Sequence, residues 1–184
     1  MQPAIDIVAV PAPVRLFLRP LPLLPLRLML ERMVLGLIRR RPGLFARLDH
    51  HAEKTFLIDP LDLPFVFRLK PRQDRPTVEP LRRGEEGMFD ARIAGPLGAL
   101  MGMIHGAFDG DALFFSRDIV IEGDTEAVLA LRNALDDGEI DLMEEAAAAF
   151  GPFRPAIEPF LKRATPIAER VTGLPLRRVD TMQF

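Results

Sequence analysis

Apolar residues along the chain recur with two different periods. Leu26, Met29, Leu30, Met33, Val34 and Leu37 fall at i, i+3, i+4, i+7, i+8 and i+11, which predicts a helix over Leu26–Arg41. Leu28, Leu35 and Ile38 widen its apolar stripe beyond what a surface helix needs. Arg39, Arg40 and Arg41 close it, where cations suit the negative end of the helix dipole. Ahead of this helix, Pro11–Pro25 (PAPVRLFLRPLPLLP) is expected to be an extended, kinked apolar segment, because proline removes donors and disfavours helix in the residue before it. Pro42–Glu53 predicts a second, short helix with Pro42 in its first turn.

A period of two takes over at Lys54. Lys54–Ile58 and Phe65–Lys70 read as strands, with Phe65, Phe67 and Leu69 alternating against Arg68 and Lys70. Met88–Ala94 repeats the pattern, setting Phe89, Ala91 and Ile93 against Asp90 and Arg92. Between them Pro71–Gly87 holds three Pro and two Gly and predicts a loop with no more than a short extended piece. The helical period returns in Gly95–Gly106, opened by Pro96, with Leu97, Leu100, Met101 and Ile104 on one face. Gly98 and Gly102 make its other side small at about 1 kcal/mol of helix stability each, which points to close approach by a backbone or a ligand.

Leu113–Asn133 packs three signals into one stretch. A strand within Leu113–Glu122 puts Ile119 and Ile121 on one side and Val120 on the other. Gly123 makes the turn, Asp124 is the expected N-cap, and Glu126 adds negative charge to the first turn. Ala127, Val128, Leu131, Ala134 and Leu135 then give the buried face of a helix. After an acidic break at Asp136–Asp141, Pro152–Val171 keeps helical spacing through Pro155, Pro159 and Pro166, so a kinked amphipathic helix is expected.

Composition narrows the function. The 184 residues include no Cys, Trp or Tyr, so disulfides and thiolate metal sites are excluded, and bases or sugars would have to stack on Phe alone. No nucleic-acid partner is expected. The net charge of −2 conceals a division: Met1–Arg41 holds seven Arg against two acids, whereas Asp109–Ala149 holds twelve acids against two Arg. Met1–Asp6 lacks the basic start of a signal peptide. The longest uncharged run, Ile93–Phe108, stops at sixteen residues, short of the ~20 needed for a membrane span. A cytoplasmic protein is expected.

Candidate chemistry is sparse. Asp49, His50, His51 and Glu53 cluster, but adjacent histidines on a helix diverge by ~100° and cannot readily share a metal, unlike a pair at i and i+4. A solvated helix end is the simpler reading. His105 stands alone beside Gly106, as a structural residue or a contact to a ligand headgroup. The acid pairs Glu85/Glu86, Asp109/Asp111, Asp136/Asp137 and Glu144/Glu145 sit in polar stretches, not the apolar surroundings that separate carboxylate pKa values for acid–base work. The spacing of Gly95, Gly98 and Gly102 is not that of a dinucleotide loop. No catalytic residue, metal or cofactor is expected.

Leu113–Leu135 resembles the C-terminal half of the sterol carrier protein type-two domain. Phe114-Phe115, Ile121–Glu126 (IEGDTE), the Leu131/Asn133 spacing and the acidic exit are similar to its relatives that act as accessory factors in oxygen-independent ubiquinone biosynthesis, as is the Pro-Leu-rich lead-in followed by LRLMLERMV. Ile93–Asp111 departs from that family in being richer in Gly and Met. The resemblance implies an α+β fold: a single sheet of about five strands, covered by helices that enclose a hydrophobic cavity, with amphipathic helices at either end. The expected divisions are a lead-in over 1–41, a lipid-binding domain over 42–142 and a helical tail over 143–184.

It also implies a non-catalytic role: binding an isoprenoid quinone precursor and presenting it to iron–sulfur hydroxylase partners under oxygen limitation. A sterol or phospholipid carrier, or a lipid-free adaptor, stays open beside that. The expected cavity wall takes Phe65, Phe67, Phe89 and Ile93 from strands, Leu97, Leu100, Met101 and Ile104 from a helix, and Phe114, Phe115 and Ile119 from the last strand region. Arg15, Arg19, Arg27, Arg32, Arg39, Arg40 and Arg41 beside a broad leucine stripe suit contact with an anionic membrane, at the inner membrane's surface. The same stripe equally suits a cover for the cavity or a homodimer contact.

Overall fold

The computed structural model describes residues 10–20, 22–104 and 118–137. Its elements run in the order α1 (Ala12–Leu18), α2 (Leu23–Arg40), a 3-10 helix (Phe45–Glu53), β1 (Phe56–Pro60), β2 (Phe65–Lys70), β3 (Thr77–Arg82), β4 (Ala91–Gly95), α3 (Leu97–Ile104), β5 (Val120–Gly123) and α4 (Thr125–Asp137). The strands form one sheet in the order β3-β2-β1-β4-β5. Only the β1–β4 pairing is parallel; the other three are antiparallel. This is the expected α+β fold with a five-stranded sheet.

Register sorts the side chains onto two faces, since residues paired across strands point to the same side. Phe56 pairs with Leu69 and Ala91, Ile58 with Phe67 and Ile93, and Ile93 with Ile121. These apolar residues meet the helices. Phe56, Ile93, Leu48 of the 3-10 helix and Leu131 of α4 are the largest fully buried members of the main core, joined by Leu37 at the end of α2 and Leu100 of α3. The other face is charged: Leu57 pairs with Arg68 and Arg92, Arg92 with Glu122, and Arg68 with Glu79.

A parallel β4 beside β1 requires the chain to return across the sheet after β3, and residues 83–90 do so without a helix. They keep to the charged face. Arg83 donates to Pro60 O (2.7 Å) and Leu63 O (3.0 Å), and its Nη2 lies 2.8 Å from Asp59 Oδ1. Arg68 Nη2 donates to Glu86 O, and the backbone N–H of Thr55 donates to Asp90 Oδ2 at 2.7 Å. Asp59, buried between Arg83 and Arg92, is the anion of this network. Leu57 and Val66 are buried on the same face.

Several boundaries differ from the sequence expectation. Pro11–Pro25 is helical over α1 and enters α2 at Leu23, three residues before the periodicity begins. Pro13 is the second residue of α1 and Pro25 the third of α2, in first turns whose N–H groups lack intrahelical acceptors anyway. Thr77–Arg82, read as part of a loop, is the edge strand, the position in a sheet that tolerates Pro80. The strand expected at Lys54–Ile58 is Phe56–Pro60, and that expected at Met88–Ala94 is Ala91–Gly95. The helix expected from Pro42 starts at Phe45 and is kinked by Asp49 at φ 48°. The tail from Pro152 lies outside the described residues.

Candidate functional site

The expected cavity wall divides into two groups on the helix-covered side of the sheet. Ile93, Leu100 and Ile119 are buried in the main core. Phe65, Phe67 and Leu97 belong to a second apolar cluster, with Leu63. Phe65 and Phe67, two residues apart on β2, stand edge to face with ring centroids 5.6 Å apart, an attractive geometry for aromatic quadrupoles. α3 spans both groups, with Leu97 in the second cluster and Leu100, one turn on, in the first.

Not every expected residue joins them. Phe89 is 38% exposed and precedes β4 instead of sitting in it, because the strand begins at Ala91. Alternation alone did not reveal that Met88 and Phe89 end the crossing segment. Met101 is partly buried. The side chain of Ile104, and His105, Phe114 and Phe115, lie outside the described residues.

One polar group at the second cluster carried no sequence signal. Asp62, in the β1–β2 turn, is only 5% exposed. Its Oδ1 accepts the backbone N–H of Leu97 at 2.8 Å, and its Oδ2 accepts that of Val10 at 2.8 Å. An isolated Asp between Leu and Pro residues reads as an ordinary turn residue, and both its partners are remote in sequence.

The histidine cluster is not a uniform solvated helix end. His50 is exposed, but His51 is buried on the side of the 3-10 helix that carries Phe45, Leu48 and Ala52. The two rings lie with centroids 3.9 Å apart, tilted by 37°. Among the described residues no three His, Asp or Glu side chains converge as metal ligands would. Beyond them, Lys54 pairs with Asp124, the N-cap of α4, whose Oδ1 also accepts Ala127 N–H at 2.9 Å. The Lys54 contact first, then the Ala127 N–H, hold the Asp124 carboxyl below its usual range.

The basic arginines also separate. Arg15, Arg19, Arg27, Arg32, Arg39 and Arg40 are exposed and Arg41 is partly buried. Arg27 bonds to Glu31 (2.9 Å) and approaches Glu79 (3.4 Å), Arg40 lies back over Gly36, and Arg41 turns one guanidinium nitrogen inward. On α2 the same outward side carries Leu24 (65% exposed), Leu28 (48%) and Leu35 (54%). Among the described residues no helix is long and apolar enough to cross a membrane.

Comparison with solved structures places this arrangement among known ones. A UbiJ-SCP2 ubiquinone synthesis protein superposes with a TM-score of 0.52 at 19% identity, over 66% of this chain and 98% of that one. Sterol carrier protein 2 from Yarrowia lipolytica, in its apo form, gives 0.44 at 10% identity, over 60% and 87%. The sec-alkylsulfatase Pisa1 from Pseudomonas sp. gives 0.41 at 12%, over 49% of this chain and 14% of that one. No curated protein matches the chain. The profile of the SCP-2 sterol transfer family matches residues 36–136, more than half the sequence and the whole sheet with the 3-10 helix, α3 and nearly all of α4, and the chain therefore belongs to that family of lipid-binding domains.

Proposed function

We propose that the protein is a non-catalytic lipid carrier that holds an isoprenoid quinone precursor between sheet and helices and presents it to iron–sulfur hydroxylases of ubiquinone synthesis. The observation that carries this reading is the second apolar cluster. Phe65, Phe67 and Leu97 line the helix-covered side of the sheet apart from the main core, and two of the three are only partly buried. A prenyl tail needs no more than such a surface. Burying ~400 Å² of it at ~25 cal/mol/Å² gives ~10 kcal/mol gross, of which association and tail ordering remove a large part. The lipid class draws support from the resemblance of Leu113–Leu135 to accessory factors of ubiquinone synthesis, and from the ubiquinone synthesis named for the UbiJ-SCP2 protein.

Loading takes place at an anionic membrane surface, from the cytoplasmic side. Leu24, Leu28 and Leu35 enter the interface while Arg15, Arg19, Arg32 and Arg39 meet headgroups. Arg27 and Arg40, also exposed, and the partly buried Arg41 flank the same contact, Arg27 being shared with Glu31 and Glu79.

Organic extraction of freshly purified protein followed by mass spectrometry tests the reading. Prenylated phenols are the expected ligands. Phospholipid alone reduces the protein to a general carrier, and lipid-free protein points to an adaptor.

A further inference from the structure

The second apolar cluster is closed by chain that the family domain does not include. Leu63, Phe65, Phe67 and Leu97 lie within the matched segment 36–136; Val10, Leu18, Leu23 and Leu26, which cover them, precede it. Among the described residues of this cluster, Val10, Leu63 and Phe65 are buried, and Leu18, Leu23, Leu26, Phe67 and Leu97 only partly so. The lead-in therefore occupies an apolar surface that belongs to the domain.

Among the described residues, a buried polar contact of the lead-in with the domain is made at Asp62. The bond from Leu97 N–H to Oδ1 is internal to the domain and fixes the start of α3. The bond from Val10 N–H to Oδ2 is not. Val10 thus offers the domain a hydrogen-bond donor and, directly attached, an apolar side chain packed with Leu63 and Phe65. A donor head joined to an apolar body is also the form of a prenylated phenol.

We propose that Asp62 with Leu63, Phe65, Phe67 and Leu97 is the receiving site for a hydroxyl-headed isoprenoid lipid, and that Val10 occupies it when no lipid is bound. This rests on the carrier reading above. The ligand's O–H replaces Val10 N–H on Asp62 Oδ2, and its first isoprene units replace the lead-in's apolar side chains on Phe65 and Phe67. The exchange leaves no buried carboxylate oxygen without a donor, the condition that makes such a swap feasible in an apolar site. The rest of the lead-in stays tethered: Arg82 Nη1 donates to Arg19 O at 2.6 Å, and Arg27 approaches Glu79. Only Val10 has to leave Asp62.

The test uses the full chain with 2-geranylphenol and its methyl ether, which keeps the tail and lacks the donor. By titration calorimetry, wild type is expected to bind the phenol about ten-fold more tightly, one hydrogen bond to a charged acceptor or ~1.4 kcal/mol. Asp62→Asn is expected to lose that preference. As this variant loses a buried carboxylate, amide exchange in the unmodified chain provides a second measurement: saturating phenol should speed exchange at Val10 and leave Leu97 protected. Equal binding of phenol and ether by wild type, or unchanged protection of Val10, overturns the site while leaving the carrier reading standing. If neither compound binds, the carrier reading falls as well.

Discussion

Gly123 passes against the carbonyl of Asp90 so closely that a side chain at 123 has nowhere to go. A Cβ there would run into the carbonyl oxygen and stand 3.1 Å from the carbonyl carbon, with Ala91 Cα at 3.3 Å. Gly123 also adopts φ 83°, and the next N–H, of Asp124, donates to that same Asp90 oxygen at 3.0 Å. The turn between β5 and α4 is thus clamped to the start of β4. Gly123→Ala is expected to destabilise the fold by ~2–4 kcal/mol, from left-handed strain together with the clash. Urea unfolding followed by far-UV circular dichroism measures it, and a loss under ~1 kcal/mol would contradict the geometry.

Acid should weaken the same junction. The Lys54 contact and the Ala127 N–H lower the folded-state pKa of Asp124 below its ordinary 3.8. A lowered carboxylate pKa contributes stability that is fully present above the unfolded value and is lost as pH falls through the folded one. The stability gap between wild type and Asp124→Asn, which keeps a capping oxygen, should therefore be constant near neutrality and shrink below about pH 4. Urea midpoints at pH 6.5 and pH 3 test this; a gap that widens in acid reverses the sign.

Core and crossing segment should respond very differently to truncation. Phe56 is fully buried between the Leu69 and Ala91 strands, and Phe56→Ala should cost ~3–5 kcal/mol. Met88, at 95% exposure, should tolerate Ala to within ~0.5 kcal/mol. Thermal melts of the two variants read both numbers, and comparable losses would mean that the sheet faces are misassigned.

The outward leucines of α2 should matter to membranes and not to folding. Replacing Leu24, Leu28 and Leu35 together by Ser is expected to lower affinity for vesicles rich in phosphatidylglycerol about a hundred-fold, at ~1 kcal/mol for each partly inserted leucine. Arg32→Glu with Arg39→Glu should weaken binding and flatten its salt dependence. Vesicle co-sedimentation decides it. Wild-type binding that ignores both sets of changes excludes this face as the contact.

Legibility followed the range of the interactions. The Gly123–Asp124 turn and the Ala127, Val128, Leu131, Ala134 face of α4 stand as their spacing predicts, since cap and period act within a few residues. β2 occupies Phe65–Lys70, the span its alternation predicts. β3 was obscured because an edge strand tolerates the prolines and charges that otherwise mark a loop. α1 was obscured because proline at a helix start and proline in an extended segment look alike without a partner to pack on. Phe89 alternates correctly with Ala91 and Ile93, yet the sheet begins only where β1 can pair, at Phe56 with Ala91.

The sequence by itself determined which short segments would turn, cap and carry an oily side, because those properties arise between neighbours along the chain. Only the tertiary structure decided which oily sides meet. It put helices over Phe56 and Ile93 and an ion network over Leu57 on the reverse of the same strand. It also brought Val10 and Leu97 to the two oxygens of Asp62, from positions 52 and 35 residues away in the chain. Contacts at such separation depend on how the whole chain closes on itself, and local periodicity carries no record of that closure.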